Sequence, residues 1–175
     1  MKIVDMSVER LLTEIKNMRP NPGGGAVVIL VANMAVNLIN MMGINMMGDV
    51  SCETYISQRL TELIQEDVDA TKKLIAEIKK ENFEEKYFIE AARPQIEMVD
   101  ISLKALEQFS PILLRGRNLS DGIIANNLLK EAIICAMPTI EVNLKYTEET
   151  YDYESILEKC ENLYQKNVEI IKGRK

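Results

Sequence analysis

Between Arg19 and Asp49 the chain carries no charge, and this stretch, which includes "NPGGGAVVILVANMAVNLINMMG", opens on three consecutive glycines. Such a segment has three destinations: a membrane, a phosphate-cradling loop with its helix, or the interior of a helical protein. The window Ala26 to Ile44 holds fifteen Ala, Val, Ile, Leu or Met residues, enough for a hydropathy scan to mark it. Its polar residues argue against lipid. At about 100° per residue, Asn33, Asn37 and Asn40 fall within a fan of about 60° on one helix face. Amides facing hydrocarbon are costly, and no Lys or Arg cluster flanks the segment. A nucleotide loop is also disfavoured, because neither Gly-Lys-Ser/Thr nor a strand followed by G-x-G-x-x-G is present. The segment reads as a central helix of a water-soluble bundle. Its amide stripe is either hydrogen-bonded internally or part of a ligand-facing wall.

The rest of the composition fits that reading. A length of 175 residues suits one domain, residues 1–175, able to bury a core without metals or disulfides. Aromatics make up only 5%, while Leu, Ile, Met, Glu and Lys favour helices over sheets. The net charge of −6 argues against a nucleic-acid partner, whose phosphates need a basic face. A few local arginines can still hold a small anion, since charges are screened over roughly 8 Å. Cys52, Cys135 and Cys160 form no C-x-x-C pair, and there is no histidine. Neither a disulfide framework nor a metal site is expected, and proton transfer falls to carboxylates, Lys, Tyr, Cys or water. The opening "MKIVDMSVER" has no apolar signal region, so the expected location is cytoplasmic.

Periodicity predicts an all-α fold, a bundle of about six long helices. Ser7 caps a first helix to about Met18, and Pro20 and Pro22 end it. The second runs from the glycines to about Met47, with Gly48 as its stop. The third spans roughly Glu53 to Lys80 and breaks near Asn82. A fourth, Phe83 to Phe109, kinks at Pro94 and gives way at Ser110 and Pro111 to a connection reaching "RGRNLSDG". Ser120 and Asp121 cap the fifth, to about Tyr146 with a bend at Pro138. The last spans about Tyr153 to Lys172. Helices of about 25 residues are roughly 40 Å long, which suits a bundle completed by a second subunit.

Four stretches in register carry a family resemblance. "LLTEIKNMRPNPGGGAVVILVANMAVNLINMMG" resembles the opening of the formimidoyltetrahydrofolate cyclodeaminase family, with its Pro-Thr-Pro-Gly-Gly-Gly-Ser element before a long apolar helix. "ELIQEDVDA" looks like that family's acidic stretch around an Asp, here Asp67. "EAARPQIEMV" matches an Ala-rich turn with a Pro, here Pro94. "GRNLSDGIIANNLLKEAIICAMPTIEVNL" is similar to its Gly-Asn…Ser-Asp-Ala-Gly segment and its closing Asn-Leu, here Asn143 and Leu144. The resemblance covers about residues 7 to 145. Ala26 stands where the family has Ser, and "GDVSCETY" with Asp49 stands where it has a basic Lys-Lys-Tyr-like stretch.

The resemblance implies a helical homodimer in folate one-carbon metabolism, needing no cofactor beyond its tetrahydrofolate substrate. Family members close N5-formimino-tetrahydrofolate to 5,10-methenyl-tetrahydrofolate with release of ammonia. Relatives hydrolyse the methenyl compound to 10-formyl-tetrahydrofolate. The alternative is a divergent or inactive helical dimer that binds folate or a protein partner. Ring closure uses the substrate's own N10, so orientation supplies much of the rate and no protein nucleophile is needed. Asp121 is the first candidate for proton transfer and Asp67 the second; each also has a plain reading, a helix cap and a solvated acid. Arg115 and Arg117 could clamp carboxylates bidentately. Gly23, Gly24 and Gly25 offer backbone N–H groups, and Asn33, Asn37, Asn118 and Ser120 complete the substrate-binding candidates. The glycine turn and the start of the fifth helix are expected to form one pocket.

Overall fold

The computed structural model describes residues 2–17, 22–43 and 51–174. Among them are six α-helices: α1 (Val8–Lys16), α2 (Gly24–Gly43), α3 (Ser51–Ile78), α4 (Glu85–Arg115), α5 (Leu119–Leu144) and α6 (Tyr153–Gly173), preceded by a single 3-10 turn at Ile3–Asp5. The all-α expectation holds. The predicted end of the second helix, at Met47 and Gly48, lies outside the described residues, as does Asp49.

Ser7 caps α1 as its sequence suggests, accepting from the Arg10 N–H at 3.3 Å. Two other boundaries differ from expectation. Helix α4 does not stop at Ser110 but runs through Pro111 to Arg115. Ile112 and Leu113 are buried there, and their packing outweighs the hydrogen bond that Pro111 cannot donate. Helix α5 begins at Leu119, so Ser120 and Asp121 lie inside its first turn rather than capping it. The cap is Asn118, in the left-handed region at φ 52, with its carbonyl accepting the Asp121 N–H at 2.9 Å. Asparagine tolerates that conformation better than most side chains.

Helix α2 is the centre, packed by α3, α4 and α5. Ile29, Ala32, Ala35, Val36, Ile39 and Met42 are buried on it. Contacts along its length fix the directions of its neighbours. Gly25 lies against Asp67 of α3 and Gln95 of α4, whereas Gly43 lies against Ile112, and Gly122 of α5 lies against Met42. Thus α4 runs parallel to α2, and α3 and α5 run antiparallel to it. Gly122 is small for a reason: a Cβ there would come 2.8–2.9 Å from Leu113 and Met42.

The amide stripe of α2 meets α3. Asn33 donates to Thr61 Oγ1 at 2.9 Å, Asn37 donates to Ser57 Oγ at 2.9 Å, and Ser57 Oγ donates to Asn33 Oδ1 at 2.9 Å. Both α2 and α5 are long and apolar enough to cross a membrane by length and composition, but 50% and 44% of their apolar windows are buried within the bundle. The sequence reading singled out only α2.

Helix α6 is held by a buried polar network. Asn167 accepts from Ser110 Oγ at 2.8 Å and donates to Leu106 O and Asn126 Oδ1, both at 3.0 Å. Asn167 is fully buried, so removing its amide strands several polar groups away from water. Replacing Asn167 with Ala is expected to lower unfolding free energy by about 3 kcal/mol, read from urea denaturation; a change within about 0.5 kcal/mol would contradict this account.

Candidate active site

Helix α2 begins Gly24-Gly25 behind Gly23, and none of these three residues has a side chain to cap the first N–H groups. Helix α3 supplies the acceptor instead. The Asp67 carboxyl faces the Ala26 N–H and accepts, through Oδ1, from Gln95 Nε2 at 2.8 Å. Only Gly25 allows this approach: a Cβ there would press on Asp67 Oδ1 and lie 2.8 Å from Asp67 Oδ2 and Gln95 Nε2. A carboxylate at a helix N-terminus is also favoured by the helix dipole. Arg59 ties α3 to α4 nearby, donating to Glu97 of α4 at 2.6 Å, and is braced by Glu66 of its own helix at 2.6 Å.

Asp67 is therefore no solvated acid. It is 4% exposed and Gln95 is 0% exposed. Burial raises the Asp67 carboxyl above the usual range, against the opposing pull of Gln95 and the Ala26 N–H. The surface groove between α3 and α4 here, about 360 Å³, is lined by Glu66, Asp69, Lys73, Glu90, Arg93 and neighbours, not by Asp67. Gln95 escaped the sequence reading. The available signal was a lone amide among Ala91, Ala92, Met98 and Val99, one apolar helix face that is buried throughout.

The other candidates gather at the far end of α2. Arg115, Arg117, Asn118 and Ser120 are exposed on the α4–α5 turn, and Asp121 is half-buried in the first turn of α5. Among the described residues neither guanidinium forms an ion pair. The turn thus presents two cations, a hydroxyl and an amide beside a carboxylate at a helix N-terminus. That set can hold an anionic tail while a carboxylate faces an amine.

The single-pocket expectation fails within one chain. Gly25 sits at one end of α2 and Gly122 packs on Met42 at the other, a separation of roughly 26 Å at 1.5 Å per residue. The antiparallel course of α5 is the cause. Asn33 and Asn37 lie between the ends and are hydrogen-bonded to α3. Among the described residues no group of three or more His, Cys, Asp or Glu is placed to hold a metal. Burial pushes the Cys160 thiol up to about 11, away from nucleophilic use.

Two measurements test the Asp67 clasp. Gly25→Ala is expected to cost about 3 kcal/mol of stability, read by urea denaturation. Because burial raises the Asp67 carboxyl in the folded chain, the folded state holds its proton to higher pH than the unfolded state. Its contribution to stability is thus largest at low pH and falls as pH rises above about 4. Asp67→Asn removes that fall, so the urea midpoint of the variant relative to the parent chain is expected to climb from pH 4 to pH 7. A constant difference would show that Asp67 ionises normally.

Comparison with known proteins gives the geometry a context. A search of curated proteins with this sequence finds no match. Among solved structures, the fold is similar to the crystal structure of formiminotetrahydrofolate cyclodeaminase from Thermotoga maritima, with TM-score 0.82 and 20% identity, covering 98% of each chain. At that identity the likeness is one of fold. The sequence itself matches the family profile described as formiminotransferase-cyclodeaminase over residues 7–162. That span runs from the cap of α1 into α6 and takes in both ends of α2, and on this ground the chain belongs to the formiminotransferase-cyclodeaminase family.

Proposed function

We propose that this chain is a folate one-carbon enzyme that closes N5-formimino-tetrahydrofolate to 5,10-methenyl-tetrahydrofolate with release of ammonia. The observation that carries the reading is the family match over residues 7–162, joined to the charged turn at the start of α5. In the reaction N10 adds to the formimino carbon, giving a tetrahedral carbon that bears the former imine nitrogen. Protonation of that nitrogen lets it leave as ammonia, and the N5 lone pair forms the methenyl double bond. The chain has two tasks: to hold N10 against the carbon and to manage protons on the departing nitrogen.

Arg115 and Arg117 bind the glutamate carboxylates of the folate, helped by Asn118 and Ser120. Asp121 faces the reacting nitrogens, orienting the amine and relaying its proton. Asp67 acts from beneath the glycine turn, fixing the backbone of Gly23, Gly24 and Gly25 rather than touching substrate. The related hydrolysis of the methenyl compound to the 10-formyl product would use the same binding groups, with water in place of the amine.

The active unit in this reading is a homodimer. Val27, Val31, Met34, Leu38 and Met41 recur at intervals of four and three along one flank of α2, and Met34 and Met41 are exposed on it at 56% and 47%. An apolar seam of 3.5-residue period is the pattern that packs against a second helix. A two-fold axis across this seam lays α2 antiparallel to its copy. That arrangement brings the glycine turn of one protomer toward the Asp121 end of the other, which one chain alone does not do. A second reading, a dimer that binds reduced folate without turnover, is favoured by Ala26: it is 1% exposed and offers no hydroxyl where the family has Ser.

The methenyl chromophore discriminates. Its appearance from formimino-tetrahydrofolate is expected, with turnover falling on the order of a hundredfold in Asp121→Asn and KM rising at least about tenfold in Arg115→Ala/Arg117→Ala. Accelerated loss of the methenyl compound would indicate hydrolysis instead. Folate binding by calorimetry with neither reaction would leave the second reading. Light scattering is expected to give twice the chain mass, and Leu38→Glu to give monomers with little activity.

A further inference from the structure

Helix α4 ends at Arg115, so its last carbonyls need partners from elsewhere. The Ile112 carbonyl accepts the Gly116 N–H at 2.6 Å. Two further carbonyls, those of Leu113 and Gly116, are met by one side chain from a distant part of the sequence. Arg174, the residue after α6, donates through its two terminal nitrogens, to Leu113 O and, at 2.9 Å, to Gly116 O. A planar guanidinium suits two separated acceptors, and a cation at a helix C-terminus also favours the dipole. Arg174 lies beyond the residues matched by the family profile, so the family assignment does not supply this contact.

The turn that Arg174 grips is the one carrying the folate-binding groups in the reading above. It runs from Arg115 to Asn118, it contains the left-handed Asn118, and it leads directly into Ser120 and Asp121. From one side it is packed by Met42, whose carbonyl would lie 3.2 Å from a Cβ on Gly116. From the other it is held by Arg174. A left-handed asparagine costs energy unless its surroundings hold it; the Asp121 N–H holds its carbonyl on one side, and Arg174 holds the Gly116 carbonyl two residues before.

We propose that Arg174 is a positioning residue for the substrate-binding turn: by bonding the Leu113 and Gly116 carbonyls, it holds Arg115 and Arg117 in the arrangement that receives folate. The inference rests on the folate reading for its substrate but not for its geometry. It couples the end of α6 to the start of α5, and Arg174 itself makes no contact with substrate.

The test uses the full chain with Arg174→Ala and Arg174→Lys, and two independent readouts. The first is limited trypsin digestion, scoring by mass spectrometry only the cuts after Arg115 and Arg117, because cleavage tracks how often the turn opens. Arg174→Ala is expected to speed these cuts about tenfold, with the thermal midpoint nearly unchanged and Arg174→Lys intermediate. The second is methenyl formation, where KM is expected to rise severalfold while kcat changes little. Unchanged cleavage after Arg115 and Arg117 would overturn the proposal, as would faster cleavage with KM unchanged in an active enzyme. If the parent chain shows no methenyl formation, the folate reading fails by itself; folate calorimetry and the cleavage rates still judge whether Arg174 holds the turn.

Discussion

A twenty-residue helix without a single charged side chain, Gly24 to Gly43, sets the terms for everything packed around it. Such a helix is stable in water only if its apolar surface is covered and its amides are met by polar partners. Helix α3 meets Asn33 and Asn37 with Thr61 and Ser57, while α4 and α5 cover the aliphatic face. Its two ends are held by other means. At the start, where glycines provide no cap, a buried carboxylate is brought in from α3. At the finish, Gly43 and Met42 seat against Ile112 and Gly122, so that the α4–α5 turn packs on the end of the rod.

Both turns are completed by side chains remote in sequence, with the sign that the helix dipole favours. Asp67 places negative charge or a hydrogen-bond acceptor at the N-terminus of α2, and Arg174 places a cation at the C-terminus of α4. The consequence for the site is direct. The anion position at the start of α2, which a glycine-led helix offers to a ligand, is already occupied at Ala26 by the protein's own carboxylate. In the proposed reading, a folate carboxylate finds its cations at the opposite end, on Arg115 and Arg117.

Much of this was written in the local pattern. Ser7 before Glu9, Leu11, Leu12 and Ile15 announces α1, and the spacing of Leu60, Leu63, Ile64, Val68 and Leu74 announces α3. The boundaries that were misread share one cause. Pro111 and the Ser120-Asp121 pair carry local signals, a helix stop and a helix cap, that tertiary packing overrides: Ile112 and Leu113 draw α4 onward, and Asn118 takes the cap in a left-handed conformation. The separation of Gly25 from Asp121 was invisible for a different reason. Nothing in the periodicity of two apolar helices says whether they run parallel or antiparallel, and that choice alone moves one end of α5 along the whole length of α2. Gln95 left a faint trace as an amide on an apolar face. Arg174 left none, because a bond from α6 to a main-chain carbonyl has no sequence signature at its acceptor.

The antiparallel choice also bears on the proposed homodimer. Within one protomer the two turns that resemble family motifs face away from each other across a helix length, and neither alone holds both a braced glycine turn and paired cations. The outer flank of α2, where Met34 and Met41 are exposed and Val27, Val31 and Leu38 are half-buried in a 3.5-residue rhythm, lies between them. In the proposed dimer a two-fold axis through the middle of that flank would exchange the ends of α2, so that burial of apolar surface and assembly of the site would be one event. Met at two of the five seam positions suits such a contact, since its flexible side chain fills an imperfectly matched surface. In the proposed dimer the charge-free segment has a double role: one face specifies the fold of the protomer, and the other would specify which protomer ends meet.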